Sequence, residues 1–184
     1  PLLANFSLTA EQINFLADAN LEVKMPDPKA AYFTVVRNPF SRLVSVYRQF
    51  FERPSASFLY EDYLFGILKK EISFGEFVRT VATIPPALMD QHIRPQYRFL
   101  SFYDKNKIDV NILKLEEPDR LRHFLAGHRL QMHGLNRSDQ VYDYRDYYDG
   151  GLLEVVRKIY SEDFTRLGYS EDLAQADQKL TGQK

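Results

Sequence analysis

The 184-residue sequence contains no cysteine at all. This absence excludes disulfide bonds and cysteine-ligated zinc, and it favours a reducing compartment. The sequence also lacks a run of about 18 apolar residues, the length that a transmembrane helix needs, and no signal-peptide pattern is visible. The formal net charge is only -1, which argues against a nucleic-acid binder held by bulk electrostatics. We therefore expect neither a membrane span nor a nucleic-acid partner.

Apolar side chains are not scarce, since hydrophobic residues make up 45% of the sequence and aromatic residues 14%. A chain of this size and composition can bury a substantial core, which predicts one folded domain. No internal repeat and no linker-like stretch interrupts the sequence. We assign the domain to residues 1–169, and we expect the polar residues 170–184 to form a frayed tail.

Residues 32–51 change pattern in a way that predicts a strand, a turn and a helix. Residues 32–36 are apolar and β-branched, too few for a helix, and typical of a buried parallel strand. Asn38 is a favoured helix N-cap, and Pro39 suits the first helical position. Because Arg37 stands at this turn, we expect free helix amides and a guanidinium group to form an anion site together.

The remaining periodicity predicts helices alternating with strands. Helices are predicted over residues 9–19, 73–83, 97–102, 118–125 and 152–164, and a second strand over residues 110–115. Residues 131–144 are polar and aperiodic, which predicts a loop. Strands that alternate with helices indicate an α/β layer fold with a parallel sheet.

Residues 37–47, RNPFSRLVSVY, resemble the 3′-phosphate-binding motif of sulfotransferases that use PAPS (3′-phosphoadenosine 5′-phosphosulfate). The similarity is closest to the carbohydrate sulfotransferase branch. Residues 90–96, 112–116, 134–138 and 147–169 resemble later family motifs in the same order. The resemblance implies a P-loop NTPase-like sulfotransferase fold, with a central parallel sheet flanked by helices.

The resemblance implies roles for several polar residues. In the family, a strand-end arginine and a helix serine eight positions later hold the 3′-phosphate, and Arg37 and Ser45 have this spacing. Arg137 and Ser138 stand where a late loop closes over the nucleotide, although an ordinary solvated loop is the alternative. Glu116 is expected either to receive an acceptor hydroxyl or, as we favour, to pair with Arg37.

His92 is the predicted general base. An unperturbed imidazole titrates near neutral pH and suits proton acceptance there. Residues 1–91 contain no histidine, so relatives that place the base upstream of the 3′-phosphate motif are not matched. The alternative is a structural or substrate-positioning histidine. Arg94 and Gln96 are predicted to contact a sugar acceptor, and no metal site is predicted.

One family element is not found in the sequence. Family members carry a phosphosulfate-binding loop of the type Pro-Lys-x-Gly-Ser/Thr upstream of the 3′-phosphate motif. Residues 24–29 are the only nearby candidate, and they lack both the glycine and the hydroxyl residue. We therefore expect the N-terminal strand and loop to be missing and the chain to be a fragment.

These patterns predict transfer of a sulfuryl group from PAPS to a hydroxyl of a carbohydrate or glycan, with PAP (3′-phosphoadenosine 5′-phosphate) as product. The alternative is a degenerate, non-catalytic nucleotide-binding or scaffold module of the same fold. A P-loop kinase is disfavoured because no Gly-x-x-x-x-Gly-Lys-Ser/Thr occurs. We expect a bacterial-type cytoplasmic protein, or a Golgi-lumen protein if a missing N-terminus carries an anchor.

Overall fold

A computed structural model describes residues 30–52, 71–86, 88–130 and 142–176. The chain divides into two compact units. The first unit comprises Pro1–Ala30 and Val46–Arg94, and the second comprises Ala31–Ser45 and Pro95–Lys184. The predicted helix over residues 9–19 and the loop candidate over residues 24–29 lie outside the described residues, as do Arg137 and Ser138.

The described residues form two β-strands and six α-helices. The strands are β1 (Tyr32–Val36) and β2 (Val110–Lys114). The helices are α1 (Pro39–Tyr47), α2 (Phe74–Thr83), α3 (Tyr97–Lys105), α4 (Pro118–Gly127), α5 (Gly150–Ile159) and α6 (Ser161–Leu167). A π-helical turn, Arg48–Glu52, follows α1, and short 3₁₀ helices span Tyr144–Tyr147 and Leu173–Gln175. This alternation confirms the predicted α/β class.

Strands β1 and β2 pair in parallel, with Thr34 opposite Ile112. Helix α4 packs against β2, where Leu113 contacts Leu121 and Leu125 in a buried cluster. The parallel sheet was predicted, and among the described residues it has two strands. Because parallel strands end at the same edge, the residues that follow β1 and β2 are brought together, which is where α/β proteins place ligands.

Helix α1 begins as the sequence predicts. The Asn38 side chain caps it, because Phe40 N donates to Asn38 Oδ1 at 2.9 Å, and Pro39 is the first helical residue. The fully buried Phe40 ring packs against Tyr148 and Phe164, with centroid distances of 5.4 and 5.0 Å. These contacts fix the start of α1, and hence the turn before it, within the second unit.

The single helix predicted over residues 152–164 is wrong, since α5 and α6 are separate helices. The backbone of the buried Tyr160 leaves the helical conformation between them, at φ -107° and ψ 24°. Helix α6 then starts with Glu162 and Asp163 in its first turn, a charge pattern that favours a new helix N-terminus. The apolar period runs through this break, so periodicity alone does not detect it.

In the first unit, the capping box predicted for α2 is confirmed. Glu76 N donates to Ser73 Oγ at 3.3 Å, and Ser73 N donates to Glu76 Oε2 at 3.0 Å. The buried face of α2 packs on aromatic rings, and the Tyr47 ring lies 5.3 Å from Phe74 and 5.7 Å from Phe77. Phe74 and Phe77 therefore belong to the buried part of the first unit that the structure describes.

Candidate functional site

The backbone of Arg37, directly after β1, is held by one side chain. Gln96 Oε1 accepts from Arg37 N at 2.9 Å, and Gln96 Nε2 donates to Arg37 O at 2.7 Å. The amide thus pairs with both backbone polar groups of Arg37, as a neighbouring strand would. Gln96 therefore fixes the direction in which the chain leaves the sheet.

Gln96 is in turn fixed by Asp163 of α6, which is fully buried. Asp163 Oδ2 accepts from Gln96 N at 2.8 Å, and Asp163 Oδ1 accepts from Tyr97 N at 2.8 Å, so this carboxylate caps α3. Burial raises the pKa of Asp163, although these donors and the charge of Arg42 act in the opposite direction. A buried carboxylate is thus used to position the start of α3.

Glu116, two residues after the end of β2, holds the backbone amide of Asn38, the residue next to Arg37. Its Oε1 accepts from Asn38 N at 2.7 Å, and its Oε2 accepts from the Tyr169 hydroxyl at 3.2 Å. Burial and the neighbouring Glu116 carboxylate raise the pKa of Tyr169, so the phenol stays protonated and donates. The expected pairing of Glu116 with the Arg37 guanidinium is not found in the described part of the chain. The carboxylate accepts a hydrogen bond from the Asn38 amide instead.

The Asn38 side chain ties the turn to the C-terminal segment. Its Nδ2 donates to Ala176 O at 2.7 Å, and both Asn38 and Ala176 are buried. Within the tail predicted from Ser170, residues up to Ala176 are held in this way and by the 3₁₀ helix Leu173–Gln175. The last eight residues lie outside the described part.

These contacts occupy the backbone amides at the start of α1. Arg37 N and Asn38 N donate to Gln96 and Glu116, and Phe40 N and Ser41 N both donate to Asn38 Oδ1. Pro39 has no N–H to offer. The expectation of free helix amides at this turn is therefore wrong, because the protein itself uses each of them. An anion bound here would rely on side chains.

The Arg37 guanidinium is the side chain best placed for that role. Its Nε donates to Ser41 Oγ at 3.0 Å, and Ser41 Oγ donates to Asn38 O at 3.2 Å. No carboxylate pairs with Arg37 among the described residues. Ser45, half-buried one helical turn beyond Ser41, lies on the same side of α1. The site thus offers a positive charge that no carboxylate of the described residues neutralises, hydrogen-bonded to the Ser41 hydroxyl.

The predicted base, His92, lies in a turn of the first unit and contacts Asp90. His92 Nδ1 lies 2.9 Å from Asp90 Oδ1, and His92 N donates to the same oxygen at 2.6 Å. The Asp90 carboxylate thus faces Nδ1, and within the described residues no protein group is hydrogen-bonded to Nε2. The imidazole is 38% exposed, which leaves it accessible to a substrate. Sequence reasoning did not assign Asp90, although an acid two residues before the histidine was a usable signal.

Arg94 closes the same turn. Its Nε and Nη2 donate to Met89 O at 2.9 and 2.5 Å, and its backbone N donates to Asp90 O at 2.9 Å. The guanidinium thus holds the segment that carries Asp90 and His92. The predicted contact of Arg94 with a sugar stays a prediction.

Lys114 is a charged residue near Glu116 that sequence reasoning did not single out. Its Nζ donates to Gly168 O at 2.5 Å and lies 4.3 Å from the centroid of the Tyr169 ring. Burial lowers the pKa of Lys114. These contacts anchor the segment after α6, which carries Tyr169, to the end of β2.

Two kinds of feature are absent from the residues that the structure describes. None of the helices there combines the length and the apolar character that crossing a bilayer requires. In the same residues, no three His, Cys, Asp or Glu side chains lie together as ligands for a metal ion.

Comparison with known families identifies the class of protein. A model of the sulfotransferase family matches residues 9–170, which is most of the chain. The chain therefore belongs to the sulfotransferase family, which confirms the family-level resemblance and supports sulfotransfer as its general activity. Comparisons with curated proteins and with solved structures gave no match.

Proposed function

We propose that this chain is a PAPS-dependent sulfotransferase domain of the P-loop NTPase-like fold that acts on a carbohydrate or glycan hydroxyl. The observation that carries the proposal is the Arg37 guanidinium, which follows β1 and, within the described residues, contacts only a neutral hydroxyl. The choice of donor and of acceptor class is supported by the similarity of residues 37–47 to the 3′-phosphate motif of the carbohydrate branch.

The residues at this turn fit a phosphate group. Arginine binds phosphate in a planar, bidentate geometry, and each charge-assisted hydrogen bond contributes about 1.5–3 kcal/mol. Arg37 donates Nε to Ser41 Oγ, so the two Nη groups would be the donors to a phosphate. Ser45 on the same side of α1 would add a hydroxyl donor. Arg37 and Ser45 are therefore assigned to the 3′-phosphate, and the predicted roles of Arg137 and Ser138 over the nucleotide are retained.

His92 is assigned the proton transfer. In sulfuryl transfer, the acceptor oxygen bonds to sulfur while the bond from sulfur to the bridging phosphate oxygen breaks. The acceptor hydroxyl proton must therefore pass to a base. With Nδ1 donating to Asp90, Nε2 of the neutral imidazole would carry the lone pair that accepts this proton. The transferred proton would reside on Nε2, and PAP would leave as the second product.

The two residues predicted to contact the acceptor, Gln96 and Arg94, receive different assignments. Gln96 already uses both ends of its amide on Arg37, so a sugar contact would compete with these hydrogen bonds. We therefore assign Gln96 chiefly to holding Arg37. Arg94 keeps its proposed place at the acceptor, since it lies in the same turn as His92.

Titration calorimetry tests the donor assignment by comparing 3′,5′-ADP with 5′-ADP. A single charge-assisted bond from Arg37 should favour the 3′,5′ form by about 10- to 150-fold. Arg37→Ala should abolish this preference. The matched control is Arg122→Ala, which removes an exposed arginine that pairs with Asp119 and should leave the preference intact. Equal affinities of the unchanged protein for the two nucleotides would refute the 3′-phosphate site.

A second measurement separates an enzyme from a binding module. The protein is incubated with PAPS and a panel of glycans, and both PAP release and sulfate incorporation are followed. Glycan-dependent release that His92→Gln abolishes would support the enzyme. Arg37-dependent binding of 3′,5′-ADP without any transfer would favour the alternative, a non-catalytic module.

A further inference from the structure

We propose that Asp90 is the positioning residue of His92, which holds the imidazole with Nδ1 protonated and Nε2 ready to accept a proton. The inference rests on the proposed role of His92 and deepens it. It assigns a function to a carboxylate that neither the family resemblance nor the donor site explains.

The hydrogen bonds of the Asp90 carboxylate are directed at His92 alone. Oδ1 receives His92 N at 2.6 Å and His92 Nδ1 at 2.9 Å. Oδ2 is buried and has no hydrogen-bond partner within the described residues. Only 7% of Asp90 is exposed, so the carboxylate is largely removed from water. A buried carboxylate oxygen without a donor is unfavourable, and a structural carboxylate would be expected to have both oxygens satisfied.

The surroundings hold this pair in place. The Phe50 ring meets the imidazole edge-on, with the centroids 4.9 Å apart and the planes at 87°. Arg94 N donates to Asp90 O, and the Arg94 guanidinium donates to Met89 O, which closes the turn around the carboxylate. His92 thus has one ring nitrogen engaged, one flank packed and the other nitrogen without a protein partner among the described residues.

The arrangement suits a base that must gain and then lose a proton. When Nε2 takes the proton of the acceptor hydroxyl, the ring becomes an imidazolium and keeps its Nδ1 proton. The positive charge then lies beside the Asp90 carboxylate at hydrogen-bond distance, which stabilises it. The proton stays on the imidazole, because Asp90 only orients the ring and stabilises its charge.

The tautomer of His92 tests the proposal without any substrate. Nitrogen-15 NMR of the full chain at about pH 8, above the usual titration range of imidazole, reports which ring nitrogen is protonated. The chain has four histidines, so His92 is assigned by the signals that His92→Gln removes. We expect the Nδ1–H form in the unchanged protein, its loss in Asp90→Ala, and its retention in Asp90→Asn, whose amide oxygen still accepts. Asp119→Asn, at an exposed carboxylate, is the control and should change nothing.

An Nε2–H tautomer in the unchanged protein, or an unaltered Nδ1–H tautomer in a folded Asp90→Ala, would overturn the proposal. If circular dichroism shows that Asp90→Ala does not fold, the unchanged protein and Asp90→Asn decide, since both must show Nδ1–H. Calorimetry with 3′,5′-ADP on the same samples keeps the two proposals separate. A wrong tautomer with normal nucleotide binding refutes only the role of Asp90, whereas a correct tautomer without Arg37-dependent binding refutes only the donor site.

Discussion

The side-chain amide of Gln96 forms hydrogen bonds with both backbone polar groups of Arg37. Gln96 is itself held by Asp163, so a carboxylate of α6 acts through one side chain on the proposed phosphate-binding arginine. The other side of the turn is held by Glu116 through Asn38 N. Residues far apart in sequence therefore fix one short turn, which orders the arginine before any ligand arrives.

Gln96→Ala should loosen Arg37 and weaken binding of 3′,5′-ADP by about tenfold, which corresponds to about 1.4 kcal/mol. The reason is that Arg37 N and O lose their partners, so the backbone that carries the guanidinium is no longer held in one conformation. Calorimetry with 3′,5′-ADP measures the effect. Gln49→Ala, which removes an exposed glutamine side chain, is the control and should bind normally.

The same variant also tests the earlier expectation that Gln96 contacts the acceptor. In that case Gln96→Ala would leave 3′,5′-ADP affinity unchanged and would raise only the KM for the acceptor. Such a result would contradict the positioning role that the structure supports.

Glu116→Gln should destabilise the protein by about 1–3 kcal/mol, because both hydrogen bonds of the carboxylate, to Asn38 N and to the Tyr169 hydroxyl, are replaced by weaker bonds to a neutral amide. Urea denaturation measures the change. Glu154→Gln, which breaks an exposed ion pair with Arg157, should cost no more than about 1 kcal/mol. Equal stability of Glu116→Gln and the unchanged protein would show that this carboxylate does not hold the turn.

The local parts of the fold were predictable from sequence because their causes are local. The β-branched run of β1, the Asn38 cap with Pro39 and the capping box of α2 each depend on residues within one turn of each other. His92 stays a predicted base, singled out because residues 1–91 contain no histidine and imidazole chemistry suits the reaction. Such signals need no knowledge of distant contacts.

The roles of Glu116, Gln96 and Asp163 were not predictable, because each depends on partners 53 to 78 positions away in the sequence. Pairing Glu116 with Arg37 was reasonable from charge alone, but sequence cannot show that the Asn38 amide lies closer. Free helix amides were expected because the sequence likewise cannot show that Gln96 and Glu116 lie next to these amides. Sequence identifies the donors of a turn and does not show which acceptors the tertiary fold supplies.

Asp163 should make the protein less stable as the pH rises, which is the reverse of what a carboxylate with a lowered pKa does. Burial raises its pKa above the value of about 3.9 expected in the unfolded chain. At a pH between the unfolded and the folded pKa, the folded state keeps the proton of Asp163 that the unfolded state has released. The stabilisation that Asp163 gives the folded state is therefore fully present below the unfolded pKa, and it is lost as the pH rises through the folded pKa. Urea denaturation between about pH 3 and pH 7 should show this loss relative to Asp163→Asn, which cannot titrate.

A carboxylate with the opposite shift provides the control. The Arg145 backbone amide lowers the pKa of Asp143, so its contribution is present above the unfolded pKa and is lost as pH falls through the folded pKa. The stability difference between the unchanged protein and Asp143→Asn should therefore change with pH in the other sense. If Asp163 followed the same sense as Asp143, the hydrogen bonds from Gln96 and Tyr97 would outweigh burial, and the predicted direction would be wrong.

Ser41→Ala should weaken binding of 3′,5′-ADP by about 3- to 10-fold while affinity for 5′-ADP stays unchanged, the loss expected when one hydrogen bond that orients an arginine is removed. Ser41 Oγ accepts from Arg37 Nε and donates to Asn38 O, so the hydroxyl fixes the plane of the guanidinium. Ser101→Ala is the matched control, since that hydroxyl also donates to a backbone carbonyl of its own helix, Arg98 O, and contacts no part of the turn. An equal loss for both nucleotides would show that Ser41 supports the fold of α1 and does not direct Arg37 towards the 3′-phosphate.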